Sequence, residues 1–177
     1  RVEIIIRRLE KLYPNPSIPL DHVNPFTLLV AVVLSAQSTD KKVNQVTKRL
    51  FQKASDPLTM YKLNEKDIYM LIKELGISKQ KAKYIHKLSE KIHKQFSNQV
   101  PQNFTDLESL PGVGHKTASV VMAQALGIPT FPVDTHIHRL AQRWELTSGK
   151  NVIETENDLK NLFPKSQWNK LHIQIIL

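Results

Sequence analysis

Leu110-Pro111-Gly112-Val113-Gly114-His115-Lys116-Thr117-Ala118 is the most informative stretch of this chain. Two glycines separated by one residue let the backbone take positive φ angles that other residues adopt only at a cost, so the main-chain N–H groups of the turn can converge. Converging N–H donors at the start of a helix form a nest for an anion, and the helix dipole adds to the attraction for a phosphate. Helical patterns flank the turn. Downstream, Ala118, Val121, Met122 and Ala125 recur at helical spacing until Gly127 and Pro129. Upstream, Thr105 and Glu108 have the spacing of a capping box for a short helix that Pro111-Gly112 cuts off. The segment reads as a helix-hairpin-helix. On the glycine spacing alone an ordinary interhelical turn competes with that reading.

Working outward, apolar residues recur at helical spacing almost everywhere and no window sustains the alternation of a half-buried strand, so the expected class is all-α. A first helix carries Val2, Ile5, Leu9 and Leu12 on one face and ends before Tyr13-Pro14-Asn15-Pro16. Asn24 caps a second with Pro25 at its first position, and Phe26 to Ala36 is apolar nearly all round, as a central helix must be. Thr39 caps a third, with Val43, Val46 and Leu50 inward and Lys41, Lys42, Lys48 and Arg49 elsewhere. Asn64 opens a helix burying Ile68, Leu71, Ile72 and Leu75, with Gly76 at the place of a left-handed C-terminal cap. Ser78 starts the next, with Ala82, Ile85, Leu88 and Ile92 inward and Lys79, Lys81, Lys83, Lys87, Lys91 and Lys94 on its exposed side. Asp134 is placed to cap a helix burying Ile137, Leu140, Ala141 and Trp144, and Asn151 one burying Val152, Leu159 and Leu162.

The 177 residues, 41% hydrophobic and 23% charged with five Gly and ten Pro, suffice for one ample domain or two small ones and exclude a disordered or fibrous chain. Twenty-five Lys and Arg against sixteen Asp and Glu leave a net charge of +9, which points to a polyanionic partner, nucleic acid ahead of a membrane surface. The longest apolar stretch, Phe26 to Ala36, is far short of the roughly 18 to 20 residues of a membrane span. The first residues lack the order of a secretory signal, and without a single Cys these residues can form no disulfide, thiolate nucleophile or Cys-ligated metal site. The histidines, His172 included, have no metal-ligand spacing. A cytoplasmic, nucleoid-associated location is expected. The chain opens on Arg1 and stops at the apolar Ile175-Ile176-Leu177, from which a longer native chain is expected.

Two residues near the hairpin carry chemistry. Lys116 falls in the first turn of the second hairpin helix, where the dipole opposes a positive charge and favours an amine able to act as a nucleophile; a phosphate contact is the competing reading. Asp134, in Val133-Asp134-Thr135-His136, is a helix N-cap by default, and capping does not exclude catalysis.

Leu110 to Ala118, followed eighteen residues after Lys116 by Asp134, together with Leu34-Ser35-Ala36-Gln37-Ser38-Thr39-Asp40 and the segment from Gly76 to Ala82, resembles the endonuclease III family of base-excision DNA glycosylases. The resemblance runs from Arg1 to Leu177. It implies a helix-hairpin-helix enzyme of two helical domains, 18–128 with the hairpin and 1–17 plus 129–177, with the active site and the DNA in the groove between them. It implies removal of oxidised pyrimidines followed by strand cleavage, with Lys116 as the Schiff-base nucleophile and Asp134 as the carboxylate that stabilises positive charge on the sugar. The lysine argues against the adenine-specific branch.

By the same resemblance, Gln37 enters the duplex where the damaged nucleotide has turned out and Ile77, at a position usually Leu, wedges the stack; helix-end polarity and core packing are their plainer readings. Leu110, Gly112, Val113, Gly114, His115 and Arg139 are the further DNA-binding positions, His115 standing where Arg is more common; Arg143 matches another basic position. The partner implied is double-stranded DNA with damaged pyrimidines or abasic sites, bound by a monomer, with no membrane. The family's 4Fe-4S cluster is implied only if the chain continues past Leu177; these Cys-free residues can bind none. An oxidised-guanine glycosylase of the same superfamily and a non-catalytic hairpin module are the alternatives, the former disfavoured by Val133-Asp134-Thr135-His136 and by the setting of Gln37.

Overall fold

The computed structural model describes Arg1–Leu177 in full and contains no strand. Its elements are α1 (Val2–Leu12), α2 (Pro25–Leu34), α3 (Asp40–Lys53), α4 (Pro57–Lys62), α5 (Glu65–Ile72), α6 (Ser78–Gln95), α7 (Phe104–Glu108), α8 (His115–Gln124), α9 (Thr135–Arg143), α10 (Val152–Leu162), a 3₁₀ turn (Lys165–Gln167) and α11 (Trp168–Ile176). No helix is long and apolar enough to cross a membrane. Two compact units are formed, Pro19–Val121 and Arg1–Ile18 with Met122–Leu177, so the division falls within α8.

In the unit Pro19–Val121, α2 is the buried element. Asn24 accepts the Thr27 N–H at 2.8 Å while the Thr27 hydroxyl takes the Asn24 N–H at 3.0 Å, a reciprocal cap with Pro25 at the first position. Leu28, Leu29, Val30, Ala31 and Leu34 lose all solvent contact; burial of each large one is worth about 1.5–3 kcal/mol. The helix stops at Leu34, before the expected Ala36, because Ser35 to Gln37 turn. α3 buries Val43, Val46 and Leu50 behind the Thr39 cap. α4 was not foreseen, although Asp56-Pro57 announces it: Asp56 accepts the Thr59 N–H at 3.0 Å. α4 and α5 both pack on α6, whose Ala82, Ile85, Leu88 and Ile92 are buried.

Three local expectations are corrected here. Gly76 is not the left-handed cap of α5; the left-handed residue is Ile77, at φ 54°. Lys81 is not on the exposed side of α6 but 3% exposed. Thr105 does not open α7, because Asn103 accepts the Asp106 N–H at 2.8 Å and starts the helix two residues earlier.

The unit formed by Arg1–Ile18 and Met122–Leu177 has its own core of Leu9, Phe131, Val133, Ile137, Ala141, Leu159, Phe163, Leu171 and Ile175, with the rings of Phe131 and Phe163 6.2 Å apart. α1 joins it through Leu9, while Leu12 is 67% exposed instead of completing the apolar face. The end of α1 is held by the Gln174 amide, which donates to the Tyr13 carbonyl at 2.9 Å, and by Lys170, whose ammonium 2.8 Å from Glu10 keeps that carboxyl below the usual carboxylate range. Asn169 ties α11 to α8 and to the run before α9: its side chain accepts the Thr130 N–H at 3.0 Å and donates to the Ala123 carbonyl at 3.3 Å. That run, with Phe131 and Val133 buried, delivers Asp134 to the start of α9.

Candidate active site

The hairpin joins α7 to α8 within the unit Pro19–Val121. Leu110 and Val113 are buried, and their N–H groups are spent inside the turn, on the carbonyls of Leu107 and Leu110 at 3.1 Å each, so both residues shape the loop. Gly112 and Gly114 are exposed, and neither spends its N–H on a backbone carbonyl of the turn. The glycines differ in what they require. Gly112 has φ +80°, and a Cβ there would lie 2.8 Å from the Tyr84 ring, whereas Gly114 has no positive φ and open space where a Cβ would stand. Gly112→Ala is therefore expected to cost about 1–3 kcal/mol through strain and the forced shift of Tyr84. Gly114→Ala should stay within about 0.5–1 kcal/mol, and thermal unfolding of the two variants checks the contrast.

α8 starts as Ala118 N–H reaches the Gly114 carbonyl at 3.0 Å. His115 stacks on Phe104, centroids 4.9 Å apart and planes 21° from parallel, with its Nδ1 3.5 Å from the Glu108 carboxylate. The imidazole is thus fixed beside an acid, a setting in which it serves a phosphate less well than a guanidinium would. Lys116 lies one residue further on, in the first turn of α8, with its side chain exposed. It stands two residues after Gly114 in the chain.

Asp134 belongs to the other unit. Its backbone is extended, and its Oδ1 accepts the Ile137 N–H at 2.8 Å, so it caps α9 as the sequence predicts. The side chain is half-buried, which fixes the carboxylate's direction while leaving it partly in contact with solvent. Arg139 and Arg143, one helical turn apart, are both exposed on α9 and give it a basic face.

Gln37 and Ile77, back in the unit Pro19–Val121, share a conformation that neither residue type favours. Gln37 has φ 55° and Ile77 φ 54°, each costing on the order of 1–3 kcal/mol, and a β-branched residue there is a genuine outlier. Ile77 is 50% exposed, so core packing does not account for it. The two loops touch: a Cβ on Gly76 would come within 3.3 Å of the Gln37 carbonyl oxygen, so glycine is there for close backbone approach rather than for its φ. Beneath them lies a residue that the charge pattern hid. The Lys81 ammonium donates to Ser38 Oγ at 3.0 Å, and burial lowers its pKa. Its spacing from Ile85, Leu88 and Ile92 puts it on the inward face of α6, the signal by which it could have been found.

A 4Fe-4S cluster needs thiolate ligands, and these residues include no Cys; no group of three or more His, Asp and Glu side chains gathers where a metal could bind. These 177 residues therefore supply no ligand for a cluster, which the resemblance implies only for a chain that continues past Leu177.

Residues 30–165 match the model of the HhH-GPD superfamily base excision DNA repair protein family. Endonuclease III of Bacillus subtilis strain 168 is 40% identical over 177 residues, covering 99% of this chain and 81% of its own length. Endonuclease III of Escherichia coli K12 is 40% identical over 173 residues, covering 98% of this chain and 82% of itself. Among solved structures, a non-covalent endonuclease III–DNA complex superposes with a TM-score of 0.94 at 38% identity, over 99% of this chain and 82% of that one. A trapped endonuclease III–DNA covalent intermediate gives 0.93 at 37% identity, over 99% and 84%. Because the family model spans most of the chain and the likeness to endonucleases III runs its whole length, this protein belongs to the endonuclease III family of HhH-GPD base excision DNA repair proteins.

Proposed function

We propose that this chain is a DNA glycosylase with AP lyase activity, excising oxidised pyrimidines from double-stranded DNA and cleaving the strand at the abasic site by β-elimination. The observation that carries the reading is the exposed lysine in the first turn of the hairpin's second helix, in a chain about 40% identical throughout to endonucleases III. The exposed turn at Gly112 and Gly114, with N–H groups not spent on the turn's own carbonyls, and the dipole of α8 suit a backbone phosphate, which brings the sugar chain to Lys116 without reading its bases. Lys116 Nζ attacks C1′ of the damaged nucleoside as the N-glycosidic bond breaks, the electron pair leaving with the base, which takes up a proton. Asp134 stabilises the positive charge that builds on the sugar and assists the proton transfers. The sugar ring opens to an imine between C1′ and Nζ. The imine acidifies the C2′ proton, and its removal expels the 3′ phosphate. Hydrolysis then returns the amine. Gln37 and Ile77 fill and wedge the stack from which the nucleotide has been turned out.

Base release measured on duplexes carrying an oxidised pyrimidine, an oxidised guanine or no lesion tests this. Release and nicking confined to the pyrimidine lesion are expected. Release from oxidised guanine instead would assign the chain to the guanine branch, and binding without release from any duplex would leave only a phosphate-gripping hairpin.

A further inference from the structure

The buried lysine has no part in the chemistry just described, yet it sits where two strained loops meet. Ser35 to Thr39 carries Gln37 between α2 and α3; Lys73 to Ile77 carries Ile77 between α5 and α6. They are linked directly, backbone to backbone, and through Lys81 at the start of α6. The backbone of Gly76 rests against the Gln37 carbonyl, the Lys81 N–H donates to the Ile77 carbonyl at 3.0 Å, and the Lys81 ammonium reaches across to Ser38 Oγ at 3.0 Å. Lys81 thus grips the residue beside Gln37 with its side chain and Ile77 itself with its backbone. The residue is 3% exposed, its ammonium donates to a neutral hydroxyl, and burial lowers its pKa. A cation placed so costs the fold more than an apolar side chain of similar length would, so its presence calls for a return elsewhere. An unsupported left-handed isoleucine would relax to an ordinary φ, and its exposed side chain would swing away from Gln37.

We infer that Lys81 is a positioning residue that locks the Gln37 and Ile77 loops at one fixed separation, so that both enter the duplex as a single rigid wedge when a nucleotide is extruded. The inference rests on the proposed excision reaction and deepens it: Lys81 touches neither sugar nor base, and its effect is confined to the step in which the stack is opened. Preorganisation of this kind matters because a misplacement of about 1 Å can cost on the order of 10²-fold in rate.

Lys81→Met keeps the length of the stem and removes the cation. Its thermal midpoint is expected to equal or exceed that of the wild type. Single-turnover excision of an oxidised pyrimidine from duplex should fall about tenfold or more. Nicking of a pre-formed abasic site in a single-stranded oligonucleotide, where no stack has to be opened, should stay within about threefold of wild type. Ser38→Ala removes the other end of the same bond and should give the same split; it decides the matter should Lys81→Met not fold. Lys81→Arg, which keeps a buried donor, should restore part of the duplex activity. Unchanged duplex excision by a folded Lys81→Met would overturn the inference, as would a parallel loss on both substrates. Failure of the wild type to release any base would instead refute the underlying excision reading.

Discussion

Asp134→Asn is expected to slow base release by about 10²-fold or more while leaving the fold and duplex binding in place. The substitution separates the observed cap from the catalytic duty proposed for the carboxylate. As the cap of α9, Oδ1 accepts the Ile137 N–H at 2.8 Å, and an asparagine carbonyl in the same position accepts it as well. As the charge proposed to face a developing sugar cation, it has no neutral substitute, because an amide supplies a dipole where that proposal requires a full negative charge. Duplex affinity should persist or tighten, since a repulsion with phosphate is removed. Asp134→Ala is the control: it forfeits the cap as well, at about 1 kcal/mol, and should lower the thermal midpoint where the asparagine variant does not. An asparagine variant that released base at the wild-type rate, with only the alanine variant losing stability, would reduce Asp134 to a helix cap.

Lys116→Ala should have the largest effect of any single substitution, abolishing strand cleavage on a lesion-containing duplex. The lysine is exposed in the first turn of α8, and alanine has the higher helix propensity, so no loss of fold is expected to blur the result. A phosphate-contacting lysine behaves differently on removal. It weakens binding at all sites by a roughly constant factor, reduces the salt dependence by about one counterion, and leaves turnover at saturating enzyme unchanged. Rates measured under single-turnover conditions with enzyme in excess therefore separate the two roles.

The helices themselves were legible because this chain marks their starts with side-chain caps. Asn24, Thr39, Asn64, Asp134 and Asn151 each accept the backbone N–H that the sequence pattern assigns to them. The position of Lys116 at the start of a helix was legible for the same kind of reason, since glycine and proline punctuate the chain immediately before it. What escaped was tertiary. Gly76 looked like a cap by sequence, but its role is to let another loop's backbone come close, and no local pattern encodes a neighbour from forty residues away. Lys81 was grouped with five other lysines of α6 by charge, although the helical repeat that buries Ile85, Leu88 and Ile92 includes it. Gly112 and Gly114 looked equivalent, and only the ring of Tyr84 distinguishes them. Isoleucine at positive φ is the reading that propensity argues against most strongly, and it occurs at a residue proposed to meet DNA, where strain tends to concentrate.

The most direct test of the mechanism is covalent trapping with borohydride on a duplex carrying an oxidised pyrimidine. In the proposed reaction, reduction converts the imine between Lys116 and C1′ into a stable amine before elimination frees the enzyme, so the wild type should become attached to the DNA strand and Lys116→Ala should not. The lesion-bearing duplex is the stricter substrate, because a pre-formed abasic site lets other amines form an imine without any glycosidic bond being broken. If Lys116→Ala released the base, cut the strand and were trapped at the level of the wild type, the amine of Lys116 would not be the nucleophile.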